Sequence, residues 1–234
     1  MKFVLITIGL FYFDLQARAQ DSKKIQKAWI KINVENLSPE SVEPDTSYTR
    51  YTFDEKGKVN ISFSPGWDDL TQDWSMTGNN LTFAFSTYRI ESLTDSTLVY
   101  KIEGFRRMSL VAEDYLNKQE KYLDSIGMYR GKPLYRANKI ITPRYKKKQS
   151  LPSVLSQTGY EIKRASEFLV SFIVTEEGKI ENIQIKKSII EGYDAKVIKL
   201  LKSTSKDWVP AKYNSKSVQT EMLYRVKYLN SIVH

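Results

Sequence analysis

The chain has 234 residues, 41% apolar and 27% charged, with a formal net charge of +9. It has no cysteine, and its one histidine is the terminal His234. That inventory excludes disulfides, thiolate nucleophiles, cysteine metal sites, histidine triads and multi-histidine metal sites. The 15 Tyr, 10 Phe and 4 Trp favour strands, where aromatic rings pack well on a pleated surface.

Met1-Lys2 opens the chain, an apolar run follows from Phe3 to Phe13, and Ala17-Arg18-Ala19 comes shortly after. A positive start, a short apolar stretch and an Ala-x-Ala step predict a secretory signal over 1–19, cleaved after Ala19. A membrane anchor is the other reading, but a spanning helix needs roughly 20 apolar residues, and Asp14 ends this run sooner. The expected location is the periplasm or cell envelope.

Residues 20–142 read as mostly antiparallel β. Tyr48 to Asp54 and Lys58 to Ser64 flank Glu55-Lys56-Gly57, a hairpin pattern. Trp74 to Thr77 and Leu81 to Phe85 flank Gly78-Asn79-Asn80. Tyr88 to Leu93 and Thr97 to Ile102 flank Asp95-Ser96. Short strands at this spacing predict a meandering sheet, barrel or half-barrel. Trp29, Phe53, Phe63, Trp74, Phe83 and Phe85 are expected to fill its interior. Val111 to Leu123 carries a helical stripe, and Asp124 to Ile141 has the look of a connector. This module resembles the lipocalin-like domains of secreted bacterial proteins in Trp29, the run Tyr51 to Val59, the Trp74-to-Leu81 turn and the run Ile90 to Val99. The resemblance implies a small barrel that either holds an apolar ligand or packs its own side chains inside.

Pro143 to Pro152, with its lysine run, marks the expected boundary. Charge shifts there: residues 143–234 carry 17 Lys and Arg against 9 Asp and Glu, a net of +8, whereas 21–142 is balanced. Phe168, Val170, Phe172 and Val174 alternate on one strand face, Glu176-Glu177-Gly178 turns the chain, and Ile183 and Ile185 share a face of the next strand. Asp194 is expected to cap a helix running to about Thr204. Val218, Thr220, Met222, Tyr224, Val226 and Tyr228 fall in phase on a closing strand. The second module is therefore α+β, in the order strand, strand, helix, strand, and the whole chain is of mixed class.

The run Val170 to Ile180 with its Gly178, the Ile185-Lys186-Lys187-Ser188 step, Trp208-Val209-Pro210-Ala211 and the closing strand together resemble the TonB C-terminal domain family. Gly178, Ser188, Trp208, Pro210 and Ala211 are the motif positions, and Asn214-Ser215-Lys216 departs from the family, which often has Gly there. The resemblance implies that the final strand holds a short extended segment of a partner. One helix can cover one face of a three-stranded sheet, so an edge is expected to stay open to strand addition. Its expected contacts are Gln219, Glu221, Leu223, Arg225 and Lys227.

Other constellations are weaker. Asp68, Asp69 and Asp73 could bind Ca²⁺ or form a solvated loop. Lys146-Lys147-Lys148 could touch an anionic envelope surface or be a solvated linker. No phosphate loop, nucleophile elbow or metalloprotease helix is present, and no cofactor is expected. Export argues against nucleic acid as the partner of the basic module. The expected function is binding of an envelope or outer-membrane protein segment, not catalysis, with a homodimer through sheet edges as an alternative assembly. An energy transducer acting on outer-membrane receptors is the competing reading. The exported protein should begin at Gln20 by intact mass, and a mass retaining residues 1–19 would contradict the cleaved signal and favour an anchor.

Overall fold

The computed structural model describes residues 22–37, 47–147, 149–159 and 166–228. The expectations for residues 1–19 and for His234 lie outside the described residues. Among the described residues no helix is long and apolar enough to cross a membrane. The chain divides into two compact units. The first holds the described residues up to Ser64 together with Asp69–Leu116, and the second holds Pro65–Asp68 with the described residues from Asn117 on.

The first unit is a closed antiparallel barrel of eight strands in chain order: β1 (Ala28–Asn36), β2 (Arg50–Phe53), β3 (Lys58–Ser62), β4 (Leu70–Thr77), β5 (Asn80–Phe83), β6 (Ser86–Leu93), β7 (Thr97–Ile102) and β8 (Arg106–Ala112). Closure comes from β1 against β8, from Trp29↔Ala112 to Asn36↔Arg106, which leaves no exposed sheet edge among the described residues of this unit. Alternation sends Tyr51, Phe53, Val59, Ile61, Leu81, Phe83, Leu98 and Tyr100 inward. Trp29 is fully buried, and its indole N–H donates to the Ile25 carbonyl at 2.9 Å. The aromatic rings meet edge-on or stacked, with Phe83 at 4.5 Å from Tyr88 and 5.6 Å from Phe53, geometries that suit their quadrupoles.

Two aromatics expected inside are outside. Phe63 lies one residue beyond the end of β3, where alternation no longer governs its direction, and Phe85 sits in the β5–β6 turn. There Ala84 and Phe85 both have positive φ (49° and 63°), the geometry that a two-residue hairpin of right-handed twist requires. The helix expected over Val111 to Leu123 shrinks to α1 (Glu113–Leu116) and one 3₁₀ turn at Glu120–Tyr122, because Val111 and Ala112 are taken by β8.

The second unit contains β9 (Ser125–Tyr129), β10 (Lys132–Arg136), β11 (Arg144–Tyr145), α2 (Leu151–Leu155), β12 (Ser166–Val174), β13 (Ile180–Lys187), α3 (Glu191–Ser203), β14 (Trp208–Val209), β15 (Ala211–Tyr213) and β16 (Lys216–Tyr228). Its main sheet has the order β13-β12-β16-β10-β9, with β15 also on β16. The strand, strand, helix, strand order of the closing module is present, and α3 packs Tyr193, Val197 and Leu201 into a core with Phe168, Val170, Phe172 and Val174. The helix begins at Glu191 behind an extended Ile190, so Asp194 lies in its first turn and not at the cap. A carboxylate there still suits the positive end of the helix dipole.

The boundary expected at Pro143 falls inside this unit. Pro143 and Tyr145 are buried, β11 pairs with β14, and the Ser150 hydroxyl caps α2 by accepting from the Ser153 N–H. The supposed connector from Asp124 to Ile141 is the β9–β10 hairpin. Its partner is the second sheet, and so the division of the chain moves back to Asn117.

Trp208 follows α3 and is 2% exposed, between Tyr145 and Phe172, with its indole N–H donating to the Thr204 hydroxyl at 3.2 Å. The β12–β13 turn fits against it closely: Gly178 has φ +76°, and a Cβ there would stand 2.5 Å from the Trp208 carbonyl oxygen. Trp208→Ala should cost about 3–5 kcal/mol by loss of a buried aromatic, and Gly178→Ala about 1–3 kcal/mol by backbone strain. Denaturant unfolding followed by circular dichroism checks both. A loss below about 1 kcal/mol for Trp208→Ala would contradict its role as a core residue.

Candidate functional site

The thirteen-residue β16 carries the positions singled out for partner binding. Its Val218, Thr220, Met222, Tyr224 and Val226 lie on one face, and Gln219, Glu221, Leu223, Arg225 and Lys227 on the other, as side chains alternate along a strand. On one flank it pairs with β12 without a register break, from Val174↔Thr220 to Ser166↔Tyr228.

The other flank is not the uniformly open edge that a three-stranded sheet would leave. β10 runs parallel to β16 there, with Leu134↔Gln219, Tyr135↔Thr220 and Arg136↔Glu221. The Ala137 N–H then donates to the Glu221 carbonyl at 2.9 Å. Gln219 is 4% exposed, and its Nε2 donates to the carbonyls of Tyr129 and Lys132, both at 2.9 Å. Gln219 and Glu221 therefore belong to the chain's own pairing and are not free contacts for a partner. Further polar contacts hold the hairpin tip: Tyr129 donates to Glu181 at 3.1 Å, Arg130 to Glu181 at 2.8 Å, and Lys132 pairs with Glu176. That pairing raises the Lys132 pKa.

What remains open follows from one hydrogen bond. Successive residues of a strand point their backbone N–H and C=O to opposite flanks. Since Glu221 faces the β10 flank, so do Leu223, Arg225 and Lys227, while Met222, Tyr224 and Val226 face β12. β10 has ended by then. Among the described residues no loop or turn backbone group bonds to Leu223, Arg225 or Lys227. All three side chains are exposed, Leu223 at 50%. Arg225 Nε lies 3.2 Å from Glu167, whose carboxylate also takes Lys187 at 2.8 Å. Lys187 first, with Arg225 and Lys227, holds the Glu167 carboxyl below its ordinary range against a smaller opposing effect of burial.

The motif positions separate into roles. Gly178, Trp208 and Ala211 build the turn and core described above, and Pro210 lies beside Gly178. Ser188 is exposed just past β13 and has no side-chain hydrogen bond among the described residues. The acidic trio does not converge. Asp68 pairs with Arg144, Asp69 accepts from the Phe63 N–H, and Asp73 pairs with Lys58. Among the described residues no three acidic or histidine side chains could hold a metal. In the second unit a groove of about 300 Å³ runs between Pro133, Tyr135, Glu176, Tyr213, Lys216 and Val218.

Besides β1 and β8, which close the barrel, the sequence reading missed the β9–β10 hairpin. Its signal is Arg130-Gly131, a two-residue turn with both φ positive (48° and 76°) between short runs. Gly127 and Pro133 obscured the strands. Pro133 is tolerated because the pairing with β16 starts one residue later, at Leu134. Comparison of the chain with protein-family models, with curated proteins and with solved structures gives no match.

Gln219→Leu should remove the side-chain donor that the carbonyls of Tyr129 and Lys132 share and cost about 1–3 kcal/mol. It should also speed amide exchange across Ser125–Arg136 while leaving β12 and β13 protected. Unchanged exchange in that hairpin would mean that Gln219 does not hold it.

Proposed function

We propose that this chain is an exported cell-envelope binding protein that takes up an extended segment of an envelope or outer-membrane protein by strand addition at Leu223–Lys227. The observation that carries the reading is the run of outward-facing backbone groups at Leu223, Arg225 and Lys227, in line with β10 and beyond its end. An edge of this kind satisfies its donors and acceptors by pairing with another chain. The likeness of the closing module to the TonB C-terminal domain supports the same use of the final strand. The first unit, a barrel of lipocalin-like form, packs aromatic residues inside and serves in this reading as a companion module without catalytic chemistry.

A pair of proline variants tests the assignment. Proline removes a backbone donor, and the two neighbouring positions face opposite flanks. Arg225→Pro should keep the melting temperature within about 2 °C, a change of well under 1 kcal/mol, and should lose the partner captured by the parent protein from envelope extract. Tyr224→Pro should break a ladder bond with β12 and destabilise the unit. Full capture by a folded Arg225→Pro would exclude this edge as the site. A parent dimer that this variant converts to a monomer would show instead that two edges pair with each other.

A further inference from the structure

We infer that the segment accepted at this edge is acidic: a short stretch of about five residues, alternating carboxylate and apolar side chains. The inference rests on the strand-addition reading and names the partner that such an edge selects.

Length comes first. Leu223 to Lys227 spans five residues, or about 16 Å at roughly 3.3 Å per residue. β10 blocks pairing before Leu223, since its chain continues through Ala137 to the Glu221 carbonyl. A partner extending toward Glu221 would have to displace the β9–β10 hairpin, which is fastened to Glu181, Glu176 and Gln219.

Charge comes second. Residues directly opposite each other across a strand pair carry their side chains on the same face. A partner's outward side chains therefore stand beside Leu223, Arg225 and Lys227. On that face the charged groups of β12, β13 and β16 near the open stretch are Glu167, Lys186, Lys187, Arg225 and Lys227, with Glu167 opposite Lys227 in the register and Lys186 beside Gln184. One carboxylate thus stands among four cations, a formal excess of +3. Glu221, the next carboxylate along β16, stands opposite Arg136 of β10. Added carboxylates would complete this set, whereas added lysines would meet like charge at close range.

The opposite face sets the alternation. Inward side chains of an added strand would lie beside Tyr224 and Val226, both half-buried against the apolar core. There the Trp67 ring meets Tyr224 edge-on at 6.4 Å. Apolar residues fit those positions, so the expected pattern is carboxylate outward and aliphatic inward.

The experiment titrates the full chain with three end-blocked peptides that share one backbone: Glu-Val-Glu-Val-Glu, Gln-Val-Gln-Val-Gln and Lys-Val-Lys-Val-Lys. The glutamate peptide should bind about tenfold more tightly than the glutamine peptide, as expected for two part-exposed cross-strand charge pairs. The lysine peptide should bind least, and the advantage of glutamate should shrink as salt screens the pairs. The double variant Arg225→Glu with Lys227→Glu should reverse the order. Equal binding of all three peptides, lost in Arg225→Pro, would overturn the acidic preference and leave the edge in place. Binding that persists unchanged in a folded Arg225→Pro, or no binding of any peptide to the parent, would overturn the edge and with it this inference.

Discussion

A central strand must have its backbone donors and acceptors met on both flanks or leave them to water, and the second unit is organised around that requirement. β16 is thirteen residues long, longer than any single neighbour. β12 satisfies one flank along most of its length. The other flank is assembled from short pieces, with three register pairs to β10 and one loop bond from Ala137, and the supply stops at Glu221. The buried Gln219 amide makes the arrangement specific, because it matches two carbonyls on either side of the hairpin turn. Two donors on one rigid group tie the turn to one register.

The barrel answers the same requirement by closure. Pairing β1 with β8 removes the edges altogether, so that unit has no backbone surface to offer. Its Phe85, in a turn where both residues have positive φ, is 99% exposed, the most exposed large ring among the described residues of that unit. Backbone availability therefore distinguishes the two units more sharply than composition does, and it is the ground for the proposal that the second unit takes up a partner strand.

Much of this was legible in the sequence. Period-two alternation gave the hairpins of the barrel and the apolar faces of β12 and β16, because any slip would move Phe172 or Met222 to the other face, although β12 also buries Ser171 and Ile173 on its second face. Gly178 and Trp208 were legible as turn and core for related reasons: a left-handed backbone needs glycine, and a large ring after a helix needs cover. The β9–β10 hairpin was not legible. Its strands are five residues each and largely exposed, so no hydrophobic period marks them. Its pairing to β16 joins residues more than 80 positions apart, which no local pattern encodes. Among the odd-numbered side chains of β16, Leu223, Arg225 and Lys227 are exposed, whereas Gln219 is buried and Glu221 half-buried. Yet whether a backbone group is free depends on that distant hairpin, and so the expected edge shortened from Gln219–Lys227 to Leu223–Lys227. Phe63 misled for a simpler cause, since β3 ends one residue before it.

The central claim is that residues of β16 beyond Glu221 alternate between satisfied and open backbone groups. Residue-resolved amide exchange on the free protein measures this directly. Met222, Tyr224 and Val226 should exchange slowly, since their amides face β12, and Leu223, Arg225 and Lys227 should exchange quickly, since theirs face the open flank. Uniform protection from Met222 to Lys227 would contradict the account, because it would mean that another segment already fills the flank.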